Sequence, residues 1–210
     1  MDIEYKGANC IVLTTKKIKV VIDPKISMHG LRDVSVKDAV ELATEARFLT
    51  GTGESMVSIE GPGEYEVADF SIKGIPAQRY LDGPDAGRQT TIYRIESQDV
   101  RIAVLGNIAS ELDESQLESI GVVDIVIIPI GGNGYTLSAS NATKLLTNFD
   151  AKVVIPVHYY DSNINYEVPQ DKLDEFTKDN KGECISTDKF RIKSATSLPQ
   201  VATIVNLIRK

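Results

Sequence analysis

The sequence predicts an α/β fold: a four-layer αββα sandwich of two mixed β-sheets packed face to face with outer helices. Three observations carry the prediction. Short β-branched runs open the chain in hairpin-like pairs, a stretch with apolar residues at helical spacing follows them, and the last third alternates buried strand with amphipathic helix. The 210 residues are enough for one sizeable core, and a single domain over 1–210 is the expectation.

Residues 9–14 and 18–22 read as antiparallel strands joined by a Thr/Lys turn that contains Lys16 and Lys17. Val36, Ala39, Val40, Ala43 and Ala46 recur at helical spacing behind Asp33 or Ser35 as N-cap, which predicts a helix over 36–45. From 48 to 75 glycines punctuate short strands, as in Gly51-Thr52-Gly53 and Gly61-Pro62-Gly63. The polar run 80–89 (YLDGPDAGRQ) predicts a surface loop, the candidate for a mobile flap. Residues 91–96 and 101–105 form a second hairpin pair. A short helix through Leu112, Leu117 and Ile120, a buried strand over 122–130, a helix over 139–149 and a buried strand over 153–156 then follow βαβ grammar. Pro169 opens a last helix to about 179, ahead of strands at 190–193 and 202–208.

A net charge of −7 disfavours delocalised binding to nucleic acid or to anionic membranes, because the long-range field repels phosphate. No stretch approaches the ~18 apolar residues of a membrane span, and the acidic start Met1-Asp2-Ile3-Glu4 does not read as a secretory leader, so the expected location is the cytoplasm. Cys10 and Cys184, far apart and each among apolar neighbours, are expected as reduced core thiols.

Seven short motifs in one order carry a family resemblance: Gly7-Ala8-Asn9-Cys10, Val21-Ile22-Asp23-Pro24, Leu49-Thr50, Gly74-Ile75-Pro76-Ala77, Leu105-Gly106-Asn107, 124–132 (DIVIIPIGG) and 155–159 (IPVHY). Together they resemble the metallo-β-lactamase fold superfamily, in particular its branch of small bacterial hydrolases that includes ascorbate-6-phosphate lactonase. The resemblance implies an H-x-H-x-D-H run straight after a strand, a further histidine after a Pro-Ala pair, a bridging aspartate in a Gly-Asp pair and a last histidine at 158. Placed after Leu49-Thr50, the first run reads Gly51-Thr52-Gly53-Glu54-Ser55-Met56; the Pro-Ala pair leads to Arg79, the aspartate is Asn107, and the hairpin histidine of the lactonase-like branch is Ala8. His158 alone keeps the ligand type.

Catalytic zinc takes about three protein ligands, and this chain has two histidines. The sequence therefore predicts a protein of this superfamily without metal cofactor or hydrolase activity, surviving as a module that binds a small anionic ligand or a protein partner, with a homo-oligomer left open. Its expected pocket is Asp23, Gly51, Gly53, Arg79, Asn107 and His158, with Arg79 set to neutralise Asp23 or to recognise an anion. The alternative is a metal-dependent hydrolase of a small phosphorylated or lactone-like substrate, using zinc or manganese at a site rebuilt around His158. His29 is expected at the surface, and the turn Gly131-Gly132-Asn133-Gly134 as a tight backbone passage, since it lacks the Lys-Ser/Thr of a phosphate loop.

Overall fold

The computed structural model describes residues 1–83, 87, 89–180 and 182–209; the expected flap at 80–89 therefore falls partly outside the described residues. In chain order the elements are β1 (Asp2–Gly7), β2 (Cys10–Thr14), β3 (Lys19–Ile22), β4 (Val40–Leu42), β5 (Val57–Ile59), β6 (Gly63–Val67), β7 (Phe70–Ala77), β8 (Thr90–Ser97), β9 (Val100–Val104), α1 (Glu114–Ile120), β10 (Ile125–Pro129), α2 (Ala139–Leu146), β11 (Val153–Val157), α3 (Leu173–Asp179), β12 (Glu183–Thr187), β13 (Phe190–Arg191) and β14 (Thr203–Leu207). They form a six-stranded sheet, ordered β13-β1-β2-β3-β4-β5, and an eight-stranded sheet, ordered β12-β14-β11-β10-β9-β8-β7-β6. Both sheets are mixed, as the sequence predicts.

Alternation within the strands decides which face each side chain meets. Ile125 and Ile127 of β10 point between the sheets with Ile3, Leu13, Ile22, Leu42 and Tyr93. Val126 and Ile128 point outward, where Ala142 and Leu145 of α2 and Phe176 of α3 cover them. Burial on both faces explains why β10 and β11 read as unbroken apolar runs. At α1, Asp113 accepts from Gln116 N while the Gln116 side chain accepts from Asp113 N, a reciprocal cap that sets the helix start.

The six-stranded sheet is covered differently from expectation. No helix forms over 36–45. Val36 and Ala39 pack on the outer face with Cys10, Val12, Val21 and Ile26, while Val40, Glu41 and Leu42 form β4, parallel to β3 and β5. The apolar spacing is real, but backbone pairing with two neighbouring strands outweighs helical propensity. Cys184, expected in the core, is exposed on β12, the edge strand of the larger sheet, whereas Cys10 is buried. Among the described residues no helix is long and apolar enough to cross a membrane.

Candidate functional site

At one end of the sandwich the loops after β1, β3, β4, β7, β9 and β11 meet, and hydrogen bonds join the two sheets there. Thr91 N donates to Thr44 O at 2.8 Å, Tyr93 Oη to Ala43 O at 2.9 Å and His158 N to Ala8 O at 2.9 Å. Three non-glycine residues hold left-handed backbones at this junction: Ala8 at φ 49°, Asp23 at φ 49° and His158 at φ 50°. Such conformations persist only where surrounding contacts impose them.

The centre of the junction is Glu45, which the sequence reading missed. Its carboxylate is 3% exposed and accepts from Arg47 Nε at 3.0 Å, Arg79 Nη1 at 3.2 Å and Asn107 Nδ2 at 3.1 Å. Asn107 Oδ1 in turn accepts from Asn9 Nδ2 at 2.9 Å. Arg79 adds a two-point pair with Asp82, at 2.8 Å and 2.7 Å, and this pair, with Glu45, holds its guanidinium above the ordinary arginine range. Arg47 donates to Tyr135 Oη at 2.7 Å and lies 4.9 Å from the Phe48 ring and 5.6 Å from the Tyr135 ring. Burial works against its charge, but pairing with Glu45 more than offsets that.

Beside this lattice Asp23 is buried and accepts from Thr44 N at 2.7 Å and Thr44 Oγ1 at 2.8 Å. Burial pushes its carboxyl up to about 7, against the lowering effect of the Thr44 bonds. His158 is buried between Tyr135, stacked at 5.2 Å, and Tyr166 at 4.8 Å, with His29 edge-on at 6.0 Å. Its Nδ1 lies 3.0 Å from Gln170 Oε1, an acceptor, so the proton sits on Nδ1 and the buried Nε2, without a partner among the described residues, carries the lone pair. Burial, with His29 next to it, lowers the imidazole to about 3. His29, expected at the surface, is buried because the loop at 160–170 folds over it and Asn165 N donates to its carbonyl; its Nδ1 has no partner among the described residues.

Gly131 makes room for this arrangement. A Cβ there would stand 1.9 Å from Gln170 Oε1 and 2.4 Å from His158 O. Gly131→Ala should push Gln170 off His158 and lower the unfolding free energy by about 1–3 kcal/mol, the usual cost of overpacking. Urea titration of the two proteins checks this, and an unchanged midpoint would count against the tight passage.

Of the six pocket residues expected from sequence, Asp23, Arg79, Asn107 and His158 lie at this junction. Gly51 and Gly53 do not: both are exposed, with nothing within 4 Å of a Cβ at either position. The strand that leads into the junction is β4, not Leu49-Thr50, and the run straight after it contains Glu45-Ala46-Arg47 at alternate positions. Arg79 neutralises Glu45 and Asp82, not Asp23. The signal was present in sequence as an acid and a base two residues apart after Val-Glu-Leu.

Among the described residues no group of three or more His, Cys, Asp or Glu side chains is placed to hold a metal ion. The His158 lone pair is covered by protein, and Arg47 and Arg79 bring positive charge to the neighbourhood, so the side chains present do not fit the dimetal centre that the resemblance implies.

The profile of the Beta-lactamase superfamily domain matches residues 2–158. A UPF0173 metal-dependent hydrolase of Thermus thermophilus is 23% identical over 189 residues, covering 76% of this chain and 84% of its own. A protein of the same name from Natranaerobius thermophilus is 24% identical over 187 residues, covering 76% and 83%. In fold, a metallo-β-lactamase superfamily protein of Thermotoga maritima superposes with a TM-score of 0.73 at 20% identity, covering 99% of this chain and 98% of that one. The metallo hydrolase Igni18 of Ignicoccus hospitalis gives 0.63 at 16% identity, covering 99% and 94%. The relatives' names correct one expectation: having no cofactor conflicts with kinship to proteins named metal-dependent hydrolases. With the family's profile matched over residues 2–158, three quarters of its length, this chain belongs to the Beta-lactamase superfamily.

Proposed function

We propose that this chain works by binding a small ligand or a partner at the strand-end junction. The observation that carries the reading is the lattice of Glu45, Arg47 and Arg79 in the loops after β4 and β7, where the resemblance implies imidazoles. Guanidiniums anchored on a buried carboxylate are recognition groups; they neither ligate water and lower its pKa as a metal does nor accept a proton at neutral pH. The backbone strain at Ala8, Asp23 and His158 supports a built site over plain packing. A cytoplasmic setting belongs to the same proposal, since it would keep Cys10 and the exposed Cys184 reduced.

The names of the relatives favour a second reading, hydrolysis of a small phosphorylated or lactone-like substrate. An imidazole lowered to about 3 is a poor general base, and its free nitrogen is sealed off between Tyr135 and Tyr166. A panel of phosphoesters, lactones and thioesters, assayed with and without added zinc or manganese, separates the two readings. Binding without turnover is the expected result. Metal-dependent turnover that disappears in His158→Ala would replace the binding reading with the hydrolase.

A further inference from the structure

Arg47 is held on three sides and open on the fourth. Glu45 and Tyr135 take up Nε and Nη2, and the guanidinium lies against the Phe48 and Tyr135 rings. Among the described residues Nη1 makes no hydrogen bond; its nearest acid is Glu167, whose Oε1 stands 3.6 Å away, beyond hydrogen-bond reach. Arg47 is 31% exposed and Glu167 48% exposed, so the two side chains meet where the junction reaches solvent. Glu167 also lines a cavity of about 440 Å³, together with Tyr160, Asn165 and Tyr166.

Charge accounting points the same way. Among the described residues Glu45 and Asp82 pair with Arg47 and Arg79, and Glu167, a further carboxylate on a loop, meets Arg47 in one long contact. Exchanging it for the carboxylate of a ligand keeps the balance and adds the short charge-assisted bond that Nη1 lacks. Resting on the binding reading above, and naming its ligand class, we propose that the junction takes a small carboxylic acid. Its carboxylate displaces Glu167 at Arg47 Nη1, and its apolar body enters the cavity beside Tyr160 and Tyr166. A cavity of this size suits a small molecule.

The test is an NMR titration of isotope-labelled protein with sodium benzoate and sodium acetate at constant ionic strength. Benzoate should bind more tightly than acetate and shift signals of Arg47, Tyr166 and Glu167. Glu167→Gln removes the resident competitor on an exposed loop and should tighten benzoate binding by up to about fivefold, the equivalent of an exposed ion pair of about 1 kcal/mol. Arg47→Lys should weaken it; if that variant does not fold, Tyr135→Phe, which frees one anchor of the guanidinium, should weaken it instead. No shifts, shifts confined to other residues, or an unchanged affinity in Glu167→Gln would overturn the proposal. Carboxylate binding elsewhere on the protein would end this inference while leaving the binding reading standing, whereas metal-dependent turnover would remove the binding reading itself.

Discussion

Glu45→Ala should lower the unfolding free energy by about 2–4 kcal/mol in urea denaturation, more than any other single truncation in the lattice. The carboxylate is buried and accepts from Arg47, Arg79 and Asn107, so its loss strands donors on three elements at once. Asn107 suffers most. It is 1% exposed, and without Glu45 its Nδ2 has no acceptor in a place water does not reach. The two arginines suffer less, because each is about 30% exposed and keeps a second acid, Glu167 for Arg47 and Asp82 for Arg79. That residual solvation keeps the expected loss below the ~3–5 kcal/mol of a fully buried broken pair. Glu45→Gln keeps one acceptor oxygen and should fall between alanine and wild type. A loss under about 1 kcal/mol in the alanine variant would mean that the lattice is peripheral to stability, and the binding reading would lose its anchor.

How far the sequence discloses this arrangement depends on whether the deciding contacts are local. The strands β10 and β11 are legible because burial on both faces writes itself as consecutive Ile, Val and Pro, and α2 because Ala139, Ala142 and Leu145 repeat at the helical period. The segment before Glu45 is illegible for a physical reason. Its apolar residues serve two purposes, Val36 and Ala39 packing beneath the sheet and Val40 and Leu42 within it, and a three-residue strand is too short to display a period of two. That ambiguity moved the expected run from the end of β4 to Leu49-Thr50, which selected the exposed Gly51 and Gly53 and passed over Glu45 and Arg47. His29 escaped for the opposite reason. Its burial is made by Tyr166 and Asn165, from a loop distant in sequence, which no local pattern encodes. Arg79 and Asn107 were found because the resemblance fixes positions after a Pro-Ala pair and a Gly-x pair, although their partner, Glu45, was not.

Asp23→Asn should stabilise the protein at pH 8 and, in the same molecule, make it sensitive to acid. In the native protein burial holds the Asp23 carboxyl at about 7, whereas in the unfolded chain it titrates at ~3.9. Between those values the folded state keeps a proton that the unfolded state releases, so this group's contribution is fully present below ~3.9 and is lost as pH rises through 7. His158 works in the other direction. Its folded value of about 3 lies below the unfolded ~6.5, so its contribution is present above ~6.5 and is lost as pH falls toward 3. Over roughly pH 4 to 6.5 the two cancel, and wild-type stability should be nearly flat as far as these groups decide it. Asparagine removes one of them. It tolerates the left-handed backbone at φ 49°, its oxygen can accept from Thr44 N, and its amide can donate to Thr44 Oγ1, so the site stays filled and neutral. At pH 8 the buried charge is gone, for a gain on the order of 1–4 kcal/mol. Below pH 6.5 the His158 slope stands uncovered, at up to about 1.4 kcal/mol per pH unit, and His29, also lowered by burial, adds to it with the same sign. Urea denaturation of both proteins from pH 4 to 8 measures the two effects together. A variant less stable than wild type at pH 8, or as flat as wild type below 6.5, would show that the junction favours the ionised Asp23 carboxylate and that burial does not raise it.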